Sequence, residues 1–113
     1  MFIPKNLLAS SAQLTGAAAT YYTSTNCKTI VTSMTVTNTD TVVRTFTVYV
    51  IKSGGAAGAT NIVISARSVA PGETQQVPEM AGQILESADF IQALASTAAT
   101  ITPTLNGIQV GLS

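Results

Sequence analysis

From Thr20 onward the chain alternates apolar and polar positions in short runs, the period-two pattern of strands that bury one face. Tyr21-Tyr22-Thr23 opens the series. Residues 28–37 follow, with Ile30, Met34 and Val36 expected on one face and Ser33, Thr35 and Thr37 on the other. The polar cluster Asn38-Thr39-Asp40-Thr41 predicts a tight turn, because Asn and Asp side chains bond their own backbone. Residues 42–52 continue with Phe46, Val48 and Val50 facing one way and Thr45, Thr47, Tyr49 and Ile51 the other. These two runs are expected to pair as a long antiparallel hairpin. Beyond the glycine loop at 53–58, residues 61–67 should turn Ile62, Ile64 and Ala66 inward. Ala70-Pro71-Gly72-Glu73 reads as a type II turn, with Gly72 supplying the positive φ.

The pattern continues with a short strand at 74–77 that Pro78 ends, an extended piece at 82–85, and the polar turn Glu86-Ser87-Ala88-Asp89. Residues 90–95, FIQALA, read as a strand, although Ala and Leu also suit a helix. Asn106-Gly107, between runs at 100–105 and 108–112, predicts a hairpin with a type I′ turn. Pro103 lacks a ladder donor, so its strand should be an edge there or carry a bulge. About seven to nine short strands with turn chemistry between them predict a single all-β sandwich, jelly-roll-like or immunoglobulin-like. Residues 20–113 form that domain. Residues 1–19 read as an N-terminal arm, since Pro4 opposes regular structure; between Leu7 and Thr15 a strand and a helical turn both fit.

Composition changes the picture from fold to surface. Only 9% of the 113 residues are charged, against about 25% in an ordinary soluble domain. A β protein with so few charges has little to keep its edges and faces from joining neighbours. The five cations and five anions cancel. No basic excess exists to neutralise phosphates or anionic lipid, so neither nucleic acid nor membrane is expected as a partner. The apolar run Leu7-Leu8-Ala9 is shorter than the roughly 7–15 residues of a secretory core, and the chain is expected to be made in the cytoplasm.

Catalysis has no constellation to work with. There is no histidine, so the many Ser and Thr hydroxyls have no ready base. Glu86 and Asp89 are close in sequence but flank a turn, where solvated acids are common. The single cysteine, Cys27, reads as a small structural hydrophobe. Zinc ligation would need more Cys and His than the chain holds. No catalytic, cofactor or metal residue is assigned, and no enzyme activity is expected.

The stretch VTSMTVTNTDTVVRTFTVYVIKSGGAAGATNIVISARSVAPGETQQVPEMAGQILESADFIQALAS and the closing segment resemble a family of small structural proteins of tailed bacteriophages. The shared succession is a Ser-Gly-Gly loop, an I-x-A-R strand, an A-P-G-E-T turn and a G-x-[IV]-L-E-x-x-D turn. The resemblance implies a virion subunit without cofactors. Such a subunit decorates or cements the capsid, or belongs to the neck, tail or fibre. Its partners would be further copies of itself and the major capsid, neck or tail proteins. Assembly contacts are expected at Phe2, Ile3, Leu7 and Leu8 of the arm, at Gly54 and Gly55 of the glycine loop, and at Glu79 and Met80. The alternative is a receptor- or carbohydrate-binding module of a fibre or tail, which would rely on Tyr21, Tyr22 and Tyr49 because Trp is absent.

Overall fold

The computed structural model describes residues 2–6, as backbone, and residues 13–111. The described strands are β1 (Phe2–Asn6), β2 (Ala19–Thr23), β3 (Cys27–Asn38), β4 (Arg44–Ile51), β5 (Ile62–Val69), β6 (Thr74–Gln76), β7 (Ile84–Leu85), β8 (Phe90–Ala95) and β9 (Ile101–Gly111). A 3-10 turn at Pro78–Met80 separates β6 from β7. One sheet has the order β1-β9-β3-β6, with β7 also paired to β3; the other has the order β2-β8-β4-β5.

The pairing is nested. Phe2 lies opposite Val110, Ala19 opposite Ala93, Thr35 opposite Gln76, and Tyr49 opposite Ile62. Positions rise along one arm as they fall along the other, so the chain is one antiparallel ribbon with its tip in the glycine loop between β4 and β5. Rolling that ribbon pairs β9 with β3 and β8 with β4 and closes two sheets over one core. This strand order is the double Greek key of a jelly roll. It differs from the immunoglobulin arrangement.

Between the sheets lie Val31, Met34, Val36, Ile101 and Leu105 from one side and Phe46, Val48, Ile64, Ile91 and Ala93 from the other. Leu14 is fully buried among them; its N–H donates to Ile101 O at 2.8 Å. The segment read as an arm therefore contributes both an edge strand and a core side chain.

The expected hairpin between residues 28–37 and 42–52 does not form. β3 and β4 belong to opposite sheets, and residues 39–43 carry the chain across the sandwich rather than back along one sheet. Alternation says which face of a strand is buried, and that face is the same whether the next strand lies beside it or across the core. The closing hairpin is also absent. β9 runs straight through Asn106-Gly107, and all eleven of its residues have partners on β3. A turn at Asn106 would remove half of those pairings, which outweighs the local turn preference of Asn-Gly. Pro103 lies beyond the reach of β1, where β9 has one described neighbour, so the missing donor is tolerated as expected.

Two bulges reverse the expected faces. Register with β9 jumps between Val31 and Ser33, so Cys27, Thr29 and Val31 point inward before the jump and Met34, Val36 and Asn38 after it. Ile30, expected inside, is turned outward and half-buried. In β5 Ala66 has φ 46 and is exposed, not inward; its N–H donates to the buried Thr47 hydroxyl at 3.1 Å. In β4, Ile51 rather than Val50 is buried, after register shifts on either side of Val48. The Ala70–Glu73 turn is as expected: Gly72 has φ 72, and Glu73 N–H donates to Ala70 O at 3.0 Å.

Asn38, fully buried, holds the crossover together. Its Nδ2 donates to Val42 O and to Val69 O, both at 2.9 Å, and its Oδ1 accepts from Asp40 N–H at 2.9 Å. Its own N–H donates to Glu73 O, and its carbonyl accepts from Gly72 N–H. The Asn38 side chain thus ties the end of β3 to the crossover and to the end of β5 in the facing sheet, while its backbone holds the β5–β6 turn. Asn38→Ala leaves one buried and two part-buried backbone groups without their partner, and urea unfolding should show a loss of about 1–3 kcal/mol. An unchanged midpoint would mean that water replaces the amide without cost.

Candidate assembly surface

Eight of the ten charged residues pair with one another. Arg44 Nη2 lies 2.7 Å from Asp40 Oδ2, Lys52 Nζ 3.3 Å from Asp89 Oδ2, and Lys28 Nζ 3.5 Å from Glu86 Oε1. Arg67 on β5 grips Glu79 on the 3-10 turn through two donors, Nη1 to Oε1 at 3.0 Å and Nη2 to Oε2. That grip lowers the Glu79 carboxyl from its ordinary value and raises Arg67. Asp40 is lowered by the Thr41 N–H and then by Arg44. Glu73 is lowered by the Gln75 amide and the Ala70 N–H. Exposed pairs of this kind add little stability. Their effect is on the surface field: Lys28, Arg44, Lys52 and Arg67 each have their charge offset by a neighbouring acid.

These pairs sit in loops, at strand ends and along one sandwich edge, which leaves the broad faces nearly free of charge. On the outer side of the β9-containing sheet, Ile108, Ile30 and Ile84 stand side by side in register across β9, β3 and β7. Ile84 is 50% exposed. Further along, Thr102 and Thr74 flank Thr37, and Thr104 and Gln76 flank Thr35; the Thr37 and Thr74 hydroxyls are 2.8 Å apart. The pairing expected for residues 28–37 and 42–52 would have set Thr35 and Thr37 beside Thr45 and Thr47; the two sheets separate them. Thr35 and Thr37 are joined by threonines of β6 and β9, whereas Thr45 and Thr47 lie in the other sheet. Where the 3-10 turn parts β6 from β7, a cleft of about 190 Å³ opens beside the β3 bulge, lined by Thr32, Met34, Thr35, Val77, Pro78 and Ala81 among others.

The expected contact residues are dispersed. Gly54 and Gly55 are exposed at the ribbon tip. Glu79 is exposed but engaged by Arg67. Met80 is fully buried; the 3-10 turn swings it into the core, so it offers no surface to a partner. Phe2 and Ile3 belong to β1, at the edge of the sheet. Leu7 and Leu8 lie outside the described residues. The expectations missed Ile30, Ile84 and Ile108, together with Val42 and Val43, which are 48% and 56% exposed. A signal for the valines was present: adjacent apolar residues cannot both face the core of one regular strand.

The opposite end of the sandwich is closed by a buried hydroxyl network. Tyr22 OH lies 2.6 Å from Thr29 Oγ1 and accepts from Gln109 Nε2 at 2.7 Å. Ser24 Oγ lies 3.0 Å from Thr29 Oγ1 and donates to Cys27 O at 2.7 Å. Burial pushes the Cys27 thiol up, but the Ser24, Thr29 and Tyr22 hydroxyls together carry it below its ordinary value. Tyr22 is spent in this network. Tyr21 and Tyr49 are half-buried, so neither presents a fully exposed ring as a platform for a sugar. Nor do the described residues contain a group of three or more potential metal ligands. None of their helices is long and apolar enough to cross a membrane.

Asp89, read beside Glu86 as a conceivable acid–base pair, is 3% exposed and braces this end. Its carboxylate accepts from Ser53 N–H and from Glu86 N–H, each at 3.0 Å. Burial alone would raise its pKa, yet these donors and Lys52 hold it below the ordinary 3.8.

Neither a protein-family model nor a curated protein matches the sequence. Solved structures do match the fold. A chain of the structure of infectious bursal disease virus, Gx strain, superposes with TM-score 0.51 at 12% identity, over 97% of this chain and 32% of that one. For the Gt strain the TM-score is 0.47 at 11% identity, over 98% of this chain and 33% of that one. What is shared with the Gx-strain chain is the fold. This chain spans about a third of the length of those viral chains.

The depressed Asp89 pKa fixes a sign. Its contribution to stability is fully present above the ordinary aspartate value and is lost as pH falls through the lower folded value. Asp89→Asn should therefore destabilise by about 1–3 kcal/mol at pH 7. The gap from the wild-type chain should shrink below pH ~3 in urea titrations. A gap independent of pH would show that the carboxylate's charge is irrelevant.

Proposed function

We propose that this chain is a structural subunit of a virus particle, that of a tailed bacteriophage, where it decorates or cements the capsid or forms part of the neck or tail. The observation that carries this reading is a jelly roll whose broad faces hold apolar and hydroxyl side chains while its charges neutralise one another. A free monomer keeps itself soluble with unpaired charge; a subunit covered on both faces does not need it. The phage-protein resemblance of residues 28 to about 110 supports the same role, as does the occurrence of this fold in a virus structure. On this reading the work is mechanical: other copies and neighbouring virion proteins bury these faces, over an area of roughly 2,000 Å² or more, as obligate interfaces do. No catalytic step is assigned.

Quantitative mass spectrometry of purified particles from the virus that encodes the chain tests the proposal. The chain should be present in a fixed ratio to the major capsid protein and should survive high-salt washing. Expression in infected cells with none in the particles would overturn the reading.

A further inference from the structure

We infer that backbone devices close the strand edges of this chain to strand addition, so that a second copy meets it through the broad faces and not by extending a sheet. An edge strand presents unpaired N–H and C=O groups that pair readily with another chain. Lysines often guard such edges. Here the edge strands β1, β2, β5, β6 and β7 hold only Lys5 and Arg67 between them, and Arg67 is engaged by Glu79. The guarding falls to the backbone.

In β1 the device is Pro4. Val31 N–H donates to Gln83 O, and Val31 O accepts from Gly82 N–H. Its neighbour Ile30 therefore turns its own backbone groups to Ile108 of β9. Alternation then turns Gly107 and Gln109 toward Lys5 and Ile3 of β1. Phe2, Pro4 and Asn6 are left aiming their backbone nitrogens at the free edge, and the middle one has no N–H to offer. In β2, register with β8 slips between Thr20 and Tyr22, which interrupts the row of donors. At the other end of that sheet, β5 carries an extra residue on each side of Ile64, with Ala66 at φ 46. The Ser68 carbonyl is taken by Gln75 Nε2 at 2.9 Å. The remaining rim is broken into β6, of 3 residues, and β7, of 2 residues, by the Pro78–Met80 turn. Every rim thus carries an interruption of its own, whereas the row Ile108–Ile30–Ile84 runs unbroken across its face.

This deepens the assembly reading, on which it rests for the use of the faces, and its test needs no particle. Sedimentation and infrared spectroscopy compare the wild type, Pro4→Thr, and Pro4→Thr combined with Asn6→Pro. The single variant gives the β1 edge an uninterrupted row of donors. The double variant moves the gap to the next outward nitrogen. Pro4→Thr should associate at a concentration at least roughly tenfold lower than wild type, about the worth of one ladder hydrogen bond, and should gain an intermolecular β-sheet band. The double variant should return to wild-type behaviour. Mere loss of stability predicts the reverse, because two substitutions would then unfold the chain more than one. A Pro4→Thr chain that associates like wild type, a double variant that associates like Pro4→Thr, or a wild type that already shows the intermolecular band would each overturn the inference. The presence of the chain in purified particles is read separately, so failure here leaves the virion role to its own test.

Discussion

The pairing of β3 with β9 is the constraint on which the rest of the molecule depends. As a flat ribbon the chain would satisfy its ladder hydrogen bonds and still leave one face of every strand wet. Joining β9 to β3 along eleven residues, with β8 joined to β4, folds the two arms over each other. Val31, Met34, Val36, Ile101 and Leu105 then meet Phe46, Val48, Ile91 and Ala93 across one core. The crossovers this rolling requires bring backbone into the interior, where polar groups need partners. Asn38 supplies them at one end of the sandwich. Asp89, with the Tyr22–Thr29–Ser24 network, supplies them at the other.

The same constraint explains what was legible in the sequence. Strand positions follow from alternation, which is local, and nearly every run was placed within a few residues. The Ala70–Glu73 turn was legible for the same reason, since Pro71 and Gly72 meet its φ demands by themselves. Partners are not local. Nothing between Lys28 and Lys52 states that β3 and β4 face each other across a core, and Asn106-Gly107 carries the same turn chemistry inside a strand as at a hairpin tip. The bulges at Thr32 and Ala66 were hidden because a one-residue slip reverses a face without changing composition. Charge pairing was half visible: Asp40 and Arg44 are four apart, whereas Arg67 and Glu79 meet only after folding.

The candidate surface was less legible than the fold. The scarcity of charge was plain from composition, but where it leaves the surface bare depends on the sheets. The row Ile108–Ile30–Ile84 is assembled from three strands far apart in sequence. Met80 looked available beside Pro78 and Glu79, yet the 3-10 turn buries it. Val42 and Val43 looked like the start of a strand, but the crossover turns them to solvent. Loops, strand ends and one edge are knit by ion pairs and hydrogen bonds, while the wide faces are left nearly uncharged and rich in hydroxyls and branched apolar groups. That division suits a component whose neighbours cover its faces.

Hydroxyl-radical footprinting of the isolated chain and of the chain in its particle addresses this directly. The account predicts that oxidation at Ile30, Ile84 and Ile108 falls several-fold on assembly, while the buried Phe46 and Leu105 stay unreactive in both states. Equal oxidation of the isoleucine row in the two states would contradict it.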